Sequence, residues 1–253
     1  MPIRNRMPRI GTRKLYHMLK DHLEGLGVGR DKLFSIMKAN HLAIQPKRNY
    51  RMTTNSRHRF HKHNDLVNGI NIVRPEQVWV SDITYVGTTK FYNYLALVTD
   101  AYSKKIVGFD LSDSLSTEGS LKALNMAVRR RVYPEKTLIH HSDRGLQYCS
   151  DGYQELLTKN NILCSMTTSY DPYSNAVAER VNGIIKNEFN LEIIKVDLEI
   201  LKKIVAETVL IYNTERPHLS CSLLTPNQMH QQQTIKIKTY KTKNLSKEAL
   251  TQV

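Results

Sequence analysis

The segment VWVSDITYV at positions 78–86 constrains this chain more than any other, because it reads as a strand with a carboxylate set into it. Alternation puts Val78, Val80, Asp82, Thr84 and Val86 on one face and Trp79, Ser81, Ile83 and Tyr85 on the other. Asp82 therefore interrupts an otherwise apolar or half-apolar side. A carboxylate buried there is costly unless it is paired or holds a metal.

The runs FYNYLALVTD (91–100) and KIVGFDLS (105–112) follow with the same β-rich composition, so three short strands with tight connections predict an antiparallel meander. TEGSLKALNMAVRRRV (117–132) changes to helical spacing at Leu121, Leu124, Ala127 and Val128, with Thr117 as N-cap. TLIHHS (137–142) returns to a strand, 150–160 to a helix, and ILCS (162–165) to a strand. The helix AVAERVNGIIKNEF follows, capped by Asn175, and another runs from Asp197 to Asn213. RPH at 216–218 and TP at 225–226 are expected to end regular structure. The order predicts an α/β fold, a mixed five-stranded sheet flanked by helices.

Residues 1–46 read as a small helix-turn-helix-like unit: Leu15, Leu19 and Leu23 fall on one helical stripe, then Leu33, Phe34, Met37 and Leu42 follow a turn with Gly25, Gly27 and Gly29. Such a pair can set its second helix in a major groove, or can be an ordinary helical hairpin. Residues 47–74 form a basic linker in which Tyr50 and Phe60 interleave with cations and with His58, His61 and His63. Charge binds phosphate and rings stack on bases, whereas the histidines lack the nearby cysteines of a zinc site. Residues 75–228 make the main domain, and 229–253 a basic tail, flexible or ordered by a partner.

Charge points to the partner. The 253 residues hold 37 Lys+Arg against 23 Asp+Glu, a formal +14, which excludes an acidic solvating chain. Lysine and arginine release counterions from a phosphate backbone, so nucleic acid is the first candidate. No apolar run of about 18 residues and no secretory leader is seen, so no membrane span and a cytoplasmic location are expected. The scattered Cys149, Cys164 and Cys221 are read as reduced thiols, mostly buried.

Three acids stand where chemistry could use them: Asp82 in the first strand, Asp143 where HHSDRG leaves the fourth, and Glu179 near the start of a helix. Two carboxylates on neighbouring strands can converge, and a third from a helix completes an oxygen site for a hard cation such as Mg²⁺. Asp100, Asp110 and Asp113 are rival strand-end acids that periodicity does not exclude.

Thirty-five residues, 144–178, lie between Asp143 and Glu179, and Lys186 follows Glu179 by seven. With WVSDITYV, IHHSDRGLQYCS, TTSYDPYSNAVAERVNGIIKNE and YNTERPHLSCSLLTPNQ, this pattern resembles the D,D(35)E signature of retroviral-integrase-type transposases. Over essentially the whole chain it is similar to the second-frame (OrfB-type) product of an insertion-sequence transposase. The departures are Leu146 where serine is common, Cys149 where threonine or alanine is common, and Arg180-Val181-Asn182 for a more aromatic stretch. None touches the acids.

The resemblance implies an RNase H-like core with Asp82, Asp143 and Glu179 as catalytic acids binding two Mg²⁺ or Mn²⁺ ions. It further implies cleavage and strand transfer on DNA, acting on the element's terminal inverted repeats and a target, with a nucleoid-associated homo-oligomer as the working form. A frameshift fusion with the upstream-frame product would be the active species. Arg144, Tyr173, Asn175, Asn182 and Lys186 are carried over as DNA-binding residues. An RNase H-type ribonuclease would share fold and metals, but is disfavoured by the glutamate at this spacing and by the N-terminal unit. A non-enzymatic DNA-binding regulator would require the loss of at least one acid.

Helical geometry bears on two of these. Seven residues span about 700°, roughly 20° short of two turns, so Lys186 shares the Glu179 face about 10 Å along. Glu188, at about 900°, faces away and is read as structural or solvent-facing. A two-metal site needs no histidine base, so His140 and His141 are assigned to packing and support of the site.

Overall fold

The computed structural model describes residues 2–45, 63–88, 91–167 and 176–237. The chain opens with four short helices, α1 (Pro2–Arg6), α2 (Thr12–Met18), α3 (Lys20–Gly25) and α4 (Arg30–Ala39). The meander follows as β1 (Val78–Thr88), β2 (Phe91–Asp100) and β3 (Ile106–Ser112), then α5 (Thr117–Arg129), β4 (Leu138–Ser142), α6 (Leu146–Cys149), α7 (Asp151–Lys159) and β5 (Ile162–Met166). The described part ends with α8 (Ala176–Glu188), α9 (Leu198–Thr214) and α10 (Pro226–His230).

The five strands form one sheet in the order β3-β2-β1-β4-β5. β1 and β3 run antiparallel to β2, while β4 runs parallel to both β1 and β5, so the expected mixed sheet is present. Alternation sorts the core. Leu95 and Leu97 of β2 join the cluster of Val181, Ile185, Val205 and Val209, whereas Ala96 and Val98 join Trp79, Leu124, Tyr153 and Leu157. Each such buried aliphatic contributes about 1.5–3 kcal/mol. Gly108 brings α5 close to the sheet, because a Cβ there would collide with the Ala123 carbonyl oxygen.

The N-terminal helices share the first of these clusters through Met7, Ile10, Leu15, Leu23, Leu33 and Met37. Four helices stand where the sequence suggested two, because Pro2–Arg6 forms a separate helix and the first expected helix breaks near Leu19, while the expected glycine turn separates α3 from α4. Phe34 and Leu42, expected on the buried stripe, are exposed. Ser116 rather than Thr117 holds the N-cap position of α5.

One expectation fails clearly: Thr225-Pro226 opens a helix instead of ending regular structure. The Thr225 side chain accepts from the Gln228 N–H, the Gln228 side chain returns a bond to Thr225, and proline occupies the first turn, where its missing N–H costs nothing. Met229 and His230, at the head of the basic tail, are buried. Cys149 and Cys221 are buried thiols outside any disulfide, and Cys164 is half-buried. No described helix is long and apolar enough to cross a membrane.

Candidate active site

The strand register brings two acids together. β1 and β4 pair in parallel as far as Ser81 and Ser142, and the next residue of each strand is Asp82 and Asp143. β1 continues against β2, with Asp82 opposite Leu97, whereas β4 stops. It stops because the Asp143 carboxylate turns back to accept the Gly145 N–H at 3.0 Å, which leads into α6.

Helix α8 crosses the same face. Ala178 packs with Val78 and Val80, and one turn later Asn182 reaches the acid. Its amide donates to Asp82 Oδ2 at 2.8 Å, while Oδ1 accepts the Ile83 N–H at 2.9 Å. Burial pushes the Asp82 carboxyl up to about 7, and the neighbouring charges of Asp143 and Glu179 push the same way against those two hydrogen bonds. Glu179 lies in the first turn of α8 and is exposed. Among the described residues, no three Asp, Glu, His or Cys side chains are gathered closely enough to hold an ion as they stand. The donors are nonetheless of the right kind: hard carboxylate oxygens whose mutual repulsion a divalent cation would relieve.

Beneath the acids the sheet is locked by hydrogen bonds between buried side chains. His140 is fully buried between Ser81 Oγ at 2.7 Å and Tyr153 Oη at 2.9 Å, and burial presses its pKa down to about 3. His141 bonds Ser165 Oγ at 2.8 Å. Both therefore pack and support.

The remaining assigned residues divide. Arg144 and Lys186 are half-buried, whereas Asn182 is buried against Asp82 instead of facing outward. Tyr173 and Asn175 lie outside the described residues, as do His58 and His61 of the linker. Glu188 is structural: Arg216 grips it through Nε and Nη2 at 2.7 and 2.9 Å, and Lys14 joins at 2.7 Å.

Of the rival acids, Asp113 is exposed and Asp110 half-buried. Asp100 belongs to a buried network invisible in the sequence. It accepts from the Glu76 N–H and from Ser103 N–H and Oγ, each at 2.7 Å, with His230 Nδ1 at 3.8 Å. Glu76 accepts the Val132 and Tyr133 N–H groups and lies 3.4 Å from Arg131 and 3.7 Å from His230. Its members are scattered from 76 to 230 with no common spacing. Tyr148 is a further candidate that sequence reasoning passed over, although it stands five residues after Asp143 in IHHSDRGLQYCS.

Two family models, each described as an integrase core domain, match residues 73–172 and 160–226. The chain is 39% identical over 179 residues to the insertion element IS600 uncharacterized 31 kDa protein of Shigella sonnei, covering 70% of this chain and 65% of that one. It is 35% identical over 159 residues to transposase InsF for insertion sequence IS3A of Escherichia coli K12, covering 61% and 54%. The aligned region thus spans less than two thirds of these curated relatives. Among solved structures, a simian T-cell lymphotropic virus intasome in complex with PP2A regulatory subunit B56 gamma shares the fold, with a TM-score of 0.54 at 17% identity over 92% of this chain and 79% of that one. The two matched segments together run through residues 73–226, more than half of the molecule, and the chain belongs to the integrase core domain family.

Proposed function

We propose that this chain catalyses metal-dependent DNA cleavage and strand transfer at the ends of an insertion sequence, as a polynucleotidyl transferase of the D,D(35)E class. Asp82, Asp143 and Glu179 are its acids. The observation that carries the reading is that Asp82 and Asp143 each follow directly on the Ser81–Ser142 pair, with Asp82 raised to about 7 by burial and by its acidic neighbours. Asp82, Asp143 and Glu179 would hold two Mg²⁺ or Mn²⁺ ions, which would supply Lewis-acid activation of water or a DNA 3′-hydroxyl and stabilisation of the departing oxygen.

The chain's own groups set the stage. Ile83 N–H and Asn182 fix the two oxygens of Asp82, and Gly145 N–H orients Asp143. Glu179 turns in from its exposed position to complete the set. Lys186, two turns along α8, and Arg144, beside Asp143, hold DNA phosphates. The excess of 14 positive charges draws the element ends and target to the protein. The working form is a homo-oligomer, joined to an upstream-frame product by frameshift fusion.

The test is Mg²⁺-dependent cleavage and joining of labelled element-end DNA by the fused protein, comparing wild type with Glu179→Gln. Loss of joined product with DNA binding intact supports the transposase. Equal activity in both removes Glu179 from the site, and binding without activity in either overturns the reading.

A further inference from the structure

Tyr148 is 3% exposed, and its hydroxyl is buried without a hydrogen-bond partner among the described residues. Its ring is held edge-on to Tyr153, centroids 5.4 Å apart, and lies 6.3 Å from His140. The two phenols differ in one respect: Tyr153 reaches His140 Nε2 at 2.9 Å, while the Tyr148 hydroxyl reaches no described group. Phenylalanine would fill the Tyr148 site without leaving a polar atom stranded, so the hydroxyl needs a partner that another state of the site supplies.

That partner is close by. A Cβ added to Gly145 would stand 3.0 Å from Asp143 Oδ1 and 3.6 Å from Tyr148 Cδ2, so the acid and the ring edge flank one small cradle. Burial, with the charges of Asp82 and Asp143, keeps the phenol protonated well beyond its ordinary range, so it retains a proton to donate to an ionised carboxylate. We propose that Tyr148 is a positioning residue for the Asp82–Asp143 pair, its hydroxyl donating to a carboxylate oxygen when a divalent cation is held there. This rests on the metal-dependent reading above. Such a bond orients the oxygen lone pairs and offsets the repulsion between the acids.

The experiment is Mn²⁺ binding to the full chain followed by electron paramagnetic resonance, with thermal melting of the metal-free protein alongside. For Tyr148→Phe the expected result is an affinity about tenfold weaker, the usual cost of losing a group that supports a metal ligand, with a metal-free melting temperature equal to or above wild type. Tyr153→Phe should do the reverse, melting lower and binding Mn²⁺ normally. Wild-type affinity in Tyr148→Phe overturns the proposal, and so does a loss of affinity that merely tracks a lower melting temperature. If wild type holds no Mn²⁺ that Asp82→Asn removes, the metal reading and the role of Tyr148 fall together. If it does and Tyr148→Phe binds equally well, only the role of Tyr148 falls.

Discussion

The described residues contain two clusters of acids, one buried around Asp100 and Glu76 and one half-buried around Asp82 and Asp143, and they are treated in opposite ways. Around Asp100 and Glu76 the chain supplies Arg131, His230, Ser103 and backbone N–H groups, and both carboxyls are held below their ordinary range by His230 and the hydrogen bonds around them, in spite of burial. Around Asp82 and Asp143 burial and repulsion prevail, and Asp82 is pushed up to about 7. A network completed by its own cations locks the fold. A pair in which burial and repulsion win at Asp82 has a use for a cation from outside, which is the physical distinction between a structural and a functional carboxylate cluster.

The comparison breaks most visibly if neutralising the second cluster costs stability. Asp82→Asn and Glu179→Gln should each abolish strand transfer, by on the order of 10³-fold or more if the acids act as one unit, while the melting temperature holds or rises. In the same scan Mg²⁺ should raise the melting temperature of wild type and leave Asp82→Asn unmoved. A cooperative loss of structure in Asp82→Asn would place it with the structural cluster.

The first cluster predicts the converse. His230→Ala removes the imidazole that Asp100 and Glu76 share and leaves Arg131 beside Glu76 alone, and breaking a buried pair from one side costs about 3–5 kcal/mol. Urea unfolding should show that loss with DNA cleavage retained in the surviving folded protein. A loss below about 1 kcal/mol, the value of an exposed pair, would mean that the network contributes little.

What the sequence disclosed follows the same division. Strands and helices were legible because periodicity is a local property, and β1 to β5 stand where the apolar runs put them. Periodicity left Asp100, Asp110 and Asp113 as rivals, however, and only the family resemblance singled out Asp82, Asp143 and Glu179. The Asp100 network was not legible, since Glu76, Asp100, Arg131 and His230 meet only through the fold. The last helix was misread for a related reason. Thr225-Pro226 resembles a stop until Gln228 is seen to close a capping box with Thr225. Asn182 shows the limit of a carried-over role, since the resemblance assigned it to DNA and only the fold reveals that it is buried against Asp82.

Asn182 refines the contrast, because it is the single side chain donating to Asp82 among the described contacts. Asn182→Ala should lower strand transfer by about 10–100-fold, as losses of groups supporting a ligand do, with DNA affinity unchanged. If affinity for element ends falls instead and turnover per bound complex is preserved, Asn182 contacts DNA and the hydrogen bond to Asp82 is incidental.

The smallest effect is the pH dependence of stability, and its sign comes from the first cluster. His230 is raised above the ordinary histidine value, because Asp100 and Glu76 outweigh burial. Its contribution is therefore complete below about pH 6.5 and fades as pH rises through the elevated value. Asp100 and Glu76 are lowered, so their contribution is present above the ordinary carboxylate range and lost as pH falls through the depressed values. Stability should decline on both sides of a plateau, by about 1.4 kcal/mol for each tenfold difference in a group's proton affinity between the folded and unfolded chain. Urea midpoints measured from pH 4 to 9 should lose the alkaline limb in His230→Gln and weaken the acid limb in Asp100→Asn. An alkaline limb that survives His230→Gln would belong to some other group, and the self-neutralised cluster would then owe its stability to Arg131 and the backbone donors alone.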